Sequence, residues 1–256
     1  MKVMVIIILL GIASSTQAQF LDNPVIAHRG AWKEDQLPQN SIAALHRAIE
    51  LGCSATEFDV QLTKDNILVV NHDADHFGID IATSTYADLL TIPLANGESI
   101  PTAEEYLREG MKQGKTKLIF ELKSSRLGIE RTLEAAKLTV DLVKSLEADD
   151  WVEYILFSYE GAKKIIELDP SAKVSYLNGN IPPAQAKADG FYGLDYNFGV
   201  YKNNPDWISQ AQELGLIINA WTVNTEEEMV RLLDQNAQFI TTDQPELLFE
   251  LLTKRQ

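Results

Sequence analysis

The sequence predicts a single (β/α)8 TIM barrel with a short insertion after its second strand region. Three observations predict it. Apolar, β-branched runs alternate with segments of helical spacing along the chain, and sustained alternation of that kind builds a parallel sheet. Eight such strands fit within 256 residues, with no linker or low-complexity tract between them, which favours one closed barrel over an open sheet or two domains. Finally, His28, Glu57, Asp59, Glu121, Ser158 and Asn224 all fall at or near carboxyl ends of the predicted strands, the end where such barrels assemble their sites.

The first eighteen residues stand apart from that fold. Lys2 precedes an apolar run from Val3 to Ala13, too short to cross a bilayer as a helix, and the small residues Ser14, Ser15, Thr16 and Ala18 follow it. That order is the pattern of a secretory signal peptide over residues 1–18, cut after Ala18. It leaves 19–256 as the mature domain, exported to the periplasm or secreted, with no stable membrane insertion. A single lysine makes a weak charged region, so a retained anchor is the alternative reading. Cys53 is the only cysteine, which excludes an intrachain disulfide, and its place within the fold excludes a lipid-modified N-terminal cysteine. Between Gly52 and Ser54 it reads as a small buried apolar side chain.

Val25-Ile26-Ala27 is the first strand. Ser41 then caps a helix with Ile42, Leu45 and Ile49 at helical spacing, stopped by Gly52. A second strand runs through Glu57 and Asp59 and turns at Asp65-Asn66, where asparagine tolerates the left-handed backbone of a tight turn. It returns as Ile67 to Val70. Residues 73–100 are turn-rich and irregular, an insertion over one end of the domain. A helix over 102–113 leads to the strand Lys117–Leu122. Then come a helix over about 128–146, strand 152–157, helix 160–168, strand 173–177 and a short helix after Pro183. Strand 191–195, helix 206–214, strand 216–223, helix 225–233, strand 239–242 and helix 245–252 complete the chain.

A hydrophobic fraction of 45% and a charged fraction of 23% suit a globular core. The net charge of -15 argues against nucleic acid and anionic membrane surfaces as partners, because both reward basic patches. An anionic small molecule would need a local basic focus or a bound cation, which Arg29, Lys123 and a metal could supply.

Glu57 and Asp59 are two residues apart on a strand, so both point to one face while Phe58 and Val60 pack on the other. Glu121 and Lys123 repeat that spacing at the end of the next long strand. His28 and His72 sit at strand ends beside them. Taken one at a time, such residues are most simply structural: a strand-end histidine, a solvated carboxylate face, a solvated lysine. Together, three carboxylates, two cations and two histidines read as chemistry. His46 on the first helix and His76 in the insertion are assigned to the surface or to a supporting role behind the site. Trp221 is either core or a wall of the pocket, and Asn224 reads as a helix cap. Tyr196, Asn197, Phe198 and Tyr201 either line the pocket mouth or pack inside.

The order of these motifs resembles the glycerophosphodiester phosphodiesterase family. The resemblance rests on His28-Arg29-Gly30, Pro38-Gln39-Asn40-Ser41, Glu57-Phe58-Asp59, Thr63-Lys64-Asp65, His72-Asp73 and Glu121-Leu122-Lys123. Ala220-Trp221-Thr222-Val223-Asn224 and Ile240-Thr241-Thr242-Asp243-Gln244-Pro245-Glu246 are similar to its last two strands. Gln39 stands where the family usually has glutamate, and Asn66 where it usually has glycine. The second change is a matter of backbone; the first removes a charge near Arg29 but leaves a hydrogen-bond acceptor.

The resemblance implies metal-dependent hydrolysis of glycerophosphodiesters to sn-glycerol 3-phosphate and an alcohol. It implies that Glu57, Asp59 and Glu121 hold one divalent cation, and all-oxygen ligands favour Mg2+ or Ca2+ over zinc. Arg29 offers a planar fork to phosphate and Lys123 a point charge, with Trp221 a further substrate contact. His28 and His72 form the acid-base pair, His28 as base and His72 as acid. Attack by a glycerol hydroxyl through a cyclic phosphate and direct attack by water remain alternatives. So do a lysophospholipid or phosphoinositide head-group phosphodiesterase, which would want an apolar rim, and a non-catalytic secreted phosphodiester-binding protein, motivated by Gln39. Proton abstraction beside a carboxylate-bound Mg2+ fits less well, because Glu57 and Asp59 share one strand.

Overall fold

The computed structural model describes residues 18–255; the signal-peptide reading falls on residues outside that range except at Ala18. In chain order the strands are β1 (Val25–Ala27), β2 (Ala55–Leu62), β3 (Leu68–Val70), β4 (Asp75–His76), β5 (Ile79–Asp80) and β6 (Lys117–Leu122). They continue as β7 (Val152–Leu156), β8 (Val174–Tyr176), β9 (Gly193–Asn197), β10 (Ile217–Trp221) and β11 (Phe239–Thr242). Among the described residues, eight of them run parallel in the order β1-β2-β6-β7-β8-β9-β10-β11, and β11 pairs with β1 to close the barrel. This is the predicted (β/α)8 architecture.

The helices are α1 (Ile42–Leu51), α2 (Tyr86–Leu89), α3 (Ala103–Gly110), α4 (Ile129–Ser145) and α5 (Tyr159–Leu168). After them come α6 (Pro183–Ala188), α7 (Phe198–Asn203), α8 (Trp207–Glu213), α9 (Glu226–Asp234) and α10 (Pro245–Lys254). Ser41 caps α1 by accepting from the Ala44 N–H, and Gly52 ends it in the left-handed conformation at φ 79°, as the sequence suggests. Thr102 and Glu105 form a reciprocal capping box at α3.

Alternation along each strand divides the core in two. Outward residues such as Phe58, Val60, Phe120 and Leu122 join the large cluster between strands and helices. Inward residues Ile26, Ala55, Ile119, Ile155 and Leu177 fill the barrel, with Trp221 and Phe239 packed against them. Cys53 is fully buried, and desolvation pushes its thiol up to about 12; it is the inert apolar side chain expected of it.

Several local expectations give way to tertiary packing. The insertion has its own order: the β4–β5 hairpin, a 3-10 turn at Ile81–Thr83 and α2 pack Ile81, Leu89 and Ile100 on Val69. His76, assigned to the surface or a supporting role, is instead 2% exposed and donates from Nε2 to the Ile92 carbonyl at 2.8 Å, so it pins the insertion. The sixth barrel strand lies two residues later than the sequence suggests, because Phe191 turns into the core to stack on Tyr176 at 5.3 Å. The short helix α7 has no counterpart in the sequence reading.

Candidate active site

The carboxylates converge because β2 has a fixed phase. Phe58 stacks on Tyr106 with centroids 4.4 Å apart and meets the edge of Phe120 at 5.0 Å. A slip of one residue would bury Glu57 and Asp59 in that aromatic layer and expel Phe58. In the native register Asp59 lies opposite Glu121 of β6, and oxygens of Glu57, Asp59 and Glu121 all fall within 4.8 Å of one another. All three residues are buried.

Three like charges so close cannot share one protonation state. Burial raises Glu57 well above the usual carboxylate range, and neighbouring Asp59 and Glu121 add to the shift. Burial, then Asp59, pushes Glu121 up to about 7. Burial would raise Asp59 too, but the charges of Lys123 and Arg29 outweigh it and hold this carboxyl below its ordinary value. Lys123 Nζ lies 2.8 Å from Asp59 Oδ1 and 2.6 Å from Glu121 Oε1, and Arg29 Nε lies 3.3 Å from Asp59 Oδ2. Glu57 Oε1 is buried with no hydrogen-bond partner, a state that calls for a proton or a cation. The donor set is three carboxylates, so its chemistry fits a hard divalent ion.

A left-handed turn delivers the first histidine and the arginine. Arg29 has φ 56° and Gly30 φ 83°. A Cβ at Gly30 would stand 2.6 Å from Ala44 Cβ and 2.7 Å from its carbonyl carbon, so only glycine lets the turn lie on α1. The turn aims the Arg29 N–H at Glu57 Oε2 (2.9 Å) and lets its guanidinium donate to Gln39 Oε1 (2.6 Å). Gln39 thus still serves as acceptor. Asn40 (φ 62°) donates to Asp59 Oδ2 at 2.8 Å and accepts from the Asp59 N–H at 3.1 Å.

The second histidine arrives by the β2–β3 hairpin. Val60 pairs with Val70, so the chain just past β3 returns beside Asp59. There Gln61 Nε2 donates to the His72 carbonyl at 2.9 Å. The turn beyond β2 holds Asn66 at φ 66°, the backbone role expected of it. Both histidines have Nδ1 tied to a carboxylate, His28 to Asp243 at 2.6 Å and His72 to Asp73 at 2.8 Å. The settings differ. Asp243 is largely enclosed; burial would raise it, but its bond to His28 holds it below the ordinary range. Asp73 is a 77% exposed side chain. Desolvation lowers His72.

His28, Arg29, Glu57, His72, Glu121 and Lys123 share one cavity in the barrel mouth, and Phe157 and Trp221 wall its apolar side at 5.5 Å, edge to face. Trp221 also donates from Nε1 to the Asp195 carbonyl at 2.8 Å. Every catalytic, substrate-binding and metal-ligating candidate except Asp59 lines this cavity, and Asp59 lies directly behind it through Lys123. Tyr196 and Tyr201 do not line it: both are fully buried, the Tyr196 hydroxyl donating to the Ile181 carbonyl and the Tyr201 hydroxyl sharing its one proton between the Leu194 and Asn219 carbonyls, each at 3.0 Å. Asn197 caps α7 instead, and Phe198 packs against the main core. His46 lies on the surface with Nε2 3.3 Å from Glu109.

Sequence reasoning missed how Asp243 is used. Asn224, read as a helix cap, leaves that role to Thr225. It donates to Asp243 Oδ2 at 2.6 Å and accepts from the Asp243 N–H at 2.9 Å. Asp195 was also missed; burial pushes it up to about 7, and its Oδ1 accepts from Asn219 Nδ2 at 2.8 Å. The signal for Asp243 was present, since it follows the last strand as His28 follows the first, and β11 and β1 pair at closure.

Comparison with known proteins agrees with this geometry. Residues 28–247 match the model of the glycerophosphoryl diester phosphodiesterase family. A glycerophosphodiester phosphodiesterase of Caldanaerobacter subterraneus is 29% identical over 250 residues, covering 90% of this chain and 98% of that one. A crystal structure of a glycerophosphodiester phosphodiesterase from Parabacteroides distasonis is 43% identical with a TM-score of 0.88, covering 93% of this chain and 99% of that one. An Oleispira antarctica phosphodiesterase, solved in complex with the product sn-glycerol-3-phosphate, shares the fold at 24% identity and a TM-score of 0.78, covering 90% of this chain and 96% of that one. With the barrel, the acidic trio and the two histidines in one cavity, the chain belongs to the glycerophosphoryl diester phosphodiesterase family of enzymes.

Proposed function

We propose that this enzyme hydrolyses glycerophosphodiesters to sn-glycerol 3-phosphate and a free alcohol, with one divalent cation, Mg2+ or Ca2+, held by Glu57, Asp59 and Glu121. The observation that carries the reading is the pair of histidines, each anchored through Nδ1 to a carboxylate and sharing one cavity with the buried acidic trio. When bound, the cation supplies Lewis acidity toward a phosphate oxygen. Arg29, fixed by Gln39, and Lys123 offset the remaining charge of the diester.

An ionised Asp243 can only accept, so His28 Nδ1 must carry a proton and Nε2 is left as the basic nitrogen. His28 is therefore the base that takes the proton of the attacking hydroxyl. His72 protonates the leaving alcohol, and desolvation makes its imidazolium a stronger acid than an exposed one. Trp221 and Phe157 offer the carbon side of the glycerol an apolar wall. Among the described residues, no helix is long and apolar enough to cross a membrane. We also propose export, from residues 1–18.

The test is a panel of glycerophosphodiesters offered to the purified mature chain with and without chelator. Chelation should abolish activity, and Mg2+ or Ca2+ should restore it; full activity after exhaustive chelation would remove the metal role of the trio. For export, mass spectrometry from the native host should find the N-terminus near Gln19, and intact Met1 on most molecules would defeat that reading.

A further inference from the structure

Arg29 and His72 line two depressions, not one. The inner one holds Glu57, Glu121, Lys123 and Trp221 inside the barrel mouth. The outer one opens on the other side of the same two residues, toward the insertion, and is lined by Gln39, Asn71, Asp73, Phe77 and Leu94. A diester whose phosphorus lies between Arg29 and His72 would put one ester arm in each. The inner depression has the charged groups that a glycerol phosphate requires. The outer one therefore takes the leaving alcohol, next to the histidine that protonates it. This step rests on the glycerophosphodiester reading above.

Phe77 gives the outer depression its chemistry. It is the most exposed of the large apolar side chains among the described residues, at 61%, and its backbone is left-handed at φ 50°, an uncommon state for a bulky residue. The strain is held from beneath. Buried His76 packs on the Phe77 ring at 4.7 Å and bonds the Ile92 carbonyl, and the next residue, Gly78, donates to Asp75 Oδ1 at 2.7 Å. An aromatic face is thus presented to solvent on a braced turn. Asp73 adds a carboxylate whose side chain is 77% exposed. Arg29, which shares this depression, is engaged with Gln39 and Asp59, and His72 meets Asp73 through Oδ1 at 2.8 Å, so it is the second oxygen of Asp73 that is offered to a cation. An aromatic face beside a carboxylate attracts an ammonium group. The net charge of -15 favours the same choice, because a diester of a cationic alcohol is neutral overall while other glycerophosphodiesters approach as anions.

We infer that Phe77 and Asp73 form the alcohol subsite and make the enzyme selective for glycerophosphodiesters of cationic ammonium alcohols.

The experiment measures kcat/KM for three diesters with wild type, Phe77→Ala and Phe77→Tyr. They are glycerophosphocholine, its neutral isostere with carbon in place of nitrogen, and glycerophosphoglycerol. Wild type should prefer the choline diester over both others. Phe77→Ala should lose about two- to fivefold on the choline diester, as expected for one cation–aromatic contact at an exposed ring, mainly through KM, and lose less on the other two. Phe77→Tyr should keep the preference. Equal use of choline diester and isostere by wild type, or equal losses on all three in Phe77→Ala, would overturn the subsite while leaving the reaction intact. Hydrolysis of none of the three by wild type would overturn the glycerophosphodiester reading and this inference with it.

Discussion

Glu121 should make the metal-free enzyme lose stability as the pH rises, and Glu121→Gln should remove that loss. The carboxyl ordinarily titrates at 4.5 and is pushed up to about 7 in the fold. The folded chain therefore holds this proton more tightly than the unfolded chain does. Its contribution to stability is fully present below pH 4.5 and is lost as the pH climbs through about 7. At about 1.36 kcal/mol per pH unit, that gap is worth about 3 kcal/mol. Glu121 is 8% exposed, so solvent screens little of it. Glu57 shifts in the same direction and Asp59 in the opposite one; both are present in the variant, so the comparison cancels most of their effect.

The assay is urea unfolding of wild type and Glu121→Gln in chelator, from pH 4.5 to 8.5. Relative to the variant, wild type should lose about 3 kcal/mol across that range. Saturating Mg2+ or Ca2+ should return the loss to wild type and do far less for the variant, because a cation that binds only the folded state adds its binding free energy to stability. The same linkage makes cation affinity weaken below about pH 7, where binding must first displace the proton. Stability differences that stay flat with pH, in chelator, would refute the idea that burial among like charges strains this carboxylate.

The geometry makes further variants informative. His28→Ala and His72→Ala should each lose about 10²–10⁴-fold in kcat with the fold retained, His46→Ala should stay near wild type, and Asp243→Asn should lower kcat more than it raises KM because it lets His28 adopt the wrong tautomer. A nitrophenol leaving group needs little protonation, so it should rescue His72→Ala far more than His28→Ala; equal rescue, read from steady-state kinetics, would reverse or void the assignment of base and acid. Gly30→Ala forces a side chain into a left-handed turn and onto the α1 backbone, costing about 1–2 kcal/mol for the first effect and about 1–3 kcal/mol for the second; an unchanged melting temperature would show that the turn can move.

The parts of the site that could be read in the sequence are those written in short-range order. The two-residue spacing of Glu57 and Asp59 fixes a shared face as soon as the segment is a strand, and Glu121 and Lys123 obey the same rule. Asn66 needs only its own backbone preference. What was misread depends on distant chain segments meeting. Asn224 looks like a cap because it precedes a helix, yet Thr225 caps that helix and frees Asn224 to hold Asp243. His76 is left between the surface and a supporting role by its sequence, and is buried in an insertion whose Ile81, Leu89 and Ile100 fold over Val69. For Tyr196 and Tyr201 the sequence leaves pocket mouth and interior open, and packing decides it: Tyr196 enters the core from β9 and Tyr201 from α7.

The distinction carries into chemistry. Each residue that would contact phosphate can be read from its own short motif, whereas Asp243 stands 215 residues from His28 and reaches it only because β11 pairs with β1. Barrel closure therefore does more than complete a sheet. It delivers the carboxylate that, on the mechanism proposed above, decides which nitrogen of His28 carries the proton, and Asn224, just past β10, holds that carboxylate in place. Any change that loosens the β1–β11 seam should then lower kcat before it unfolds the chain, because a base with the wrong tautomer fails while the barrel still stands.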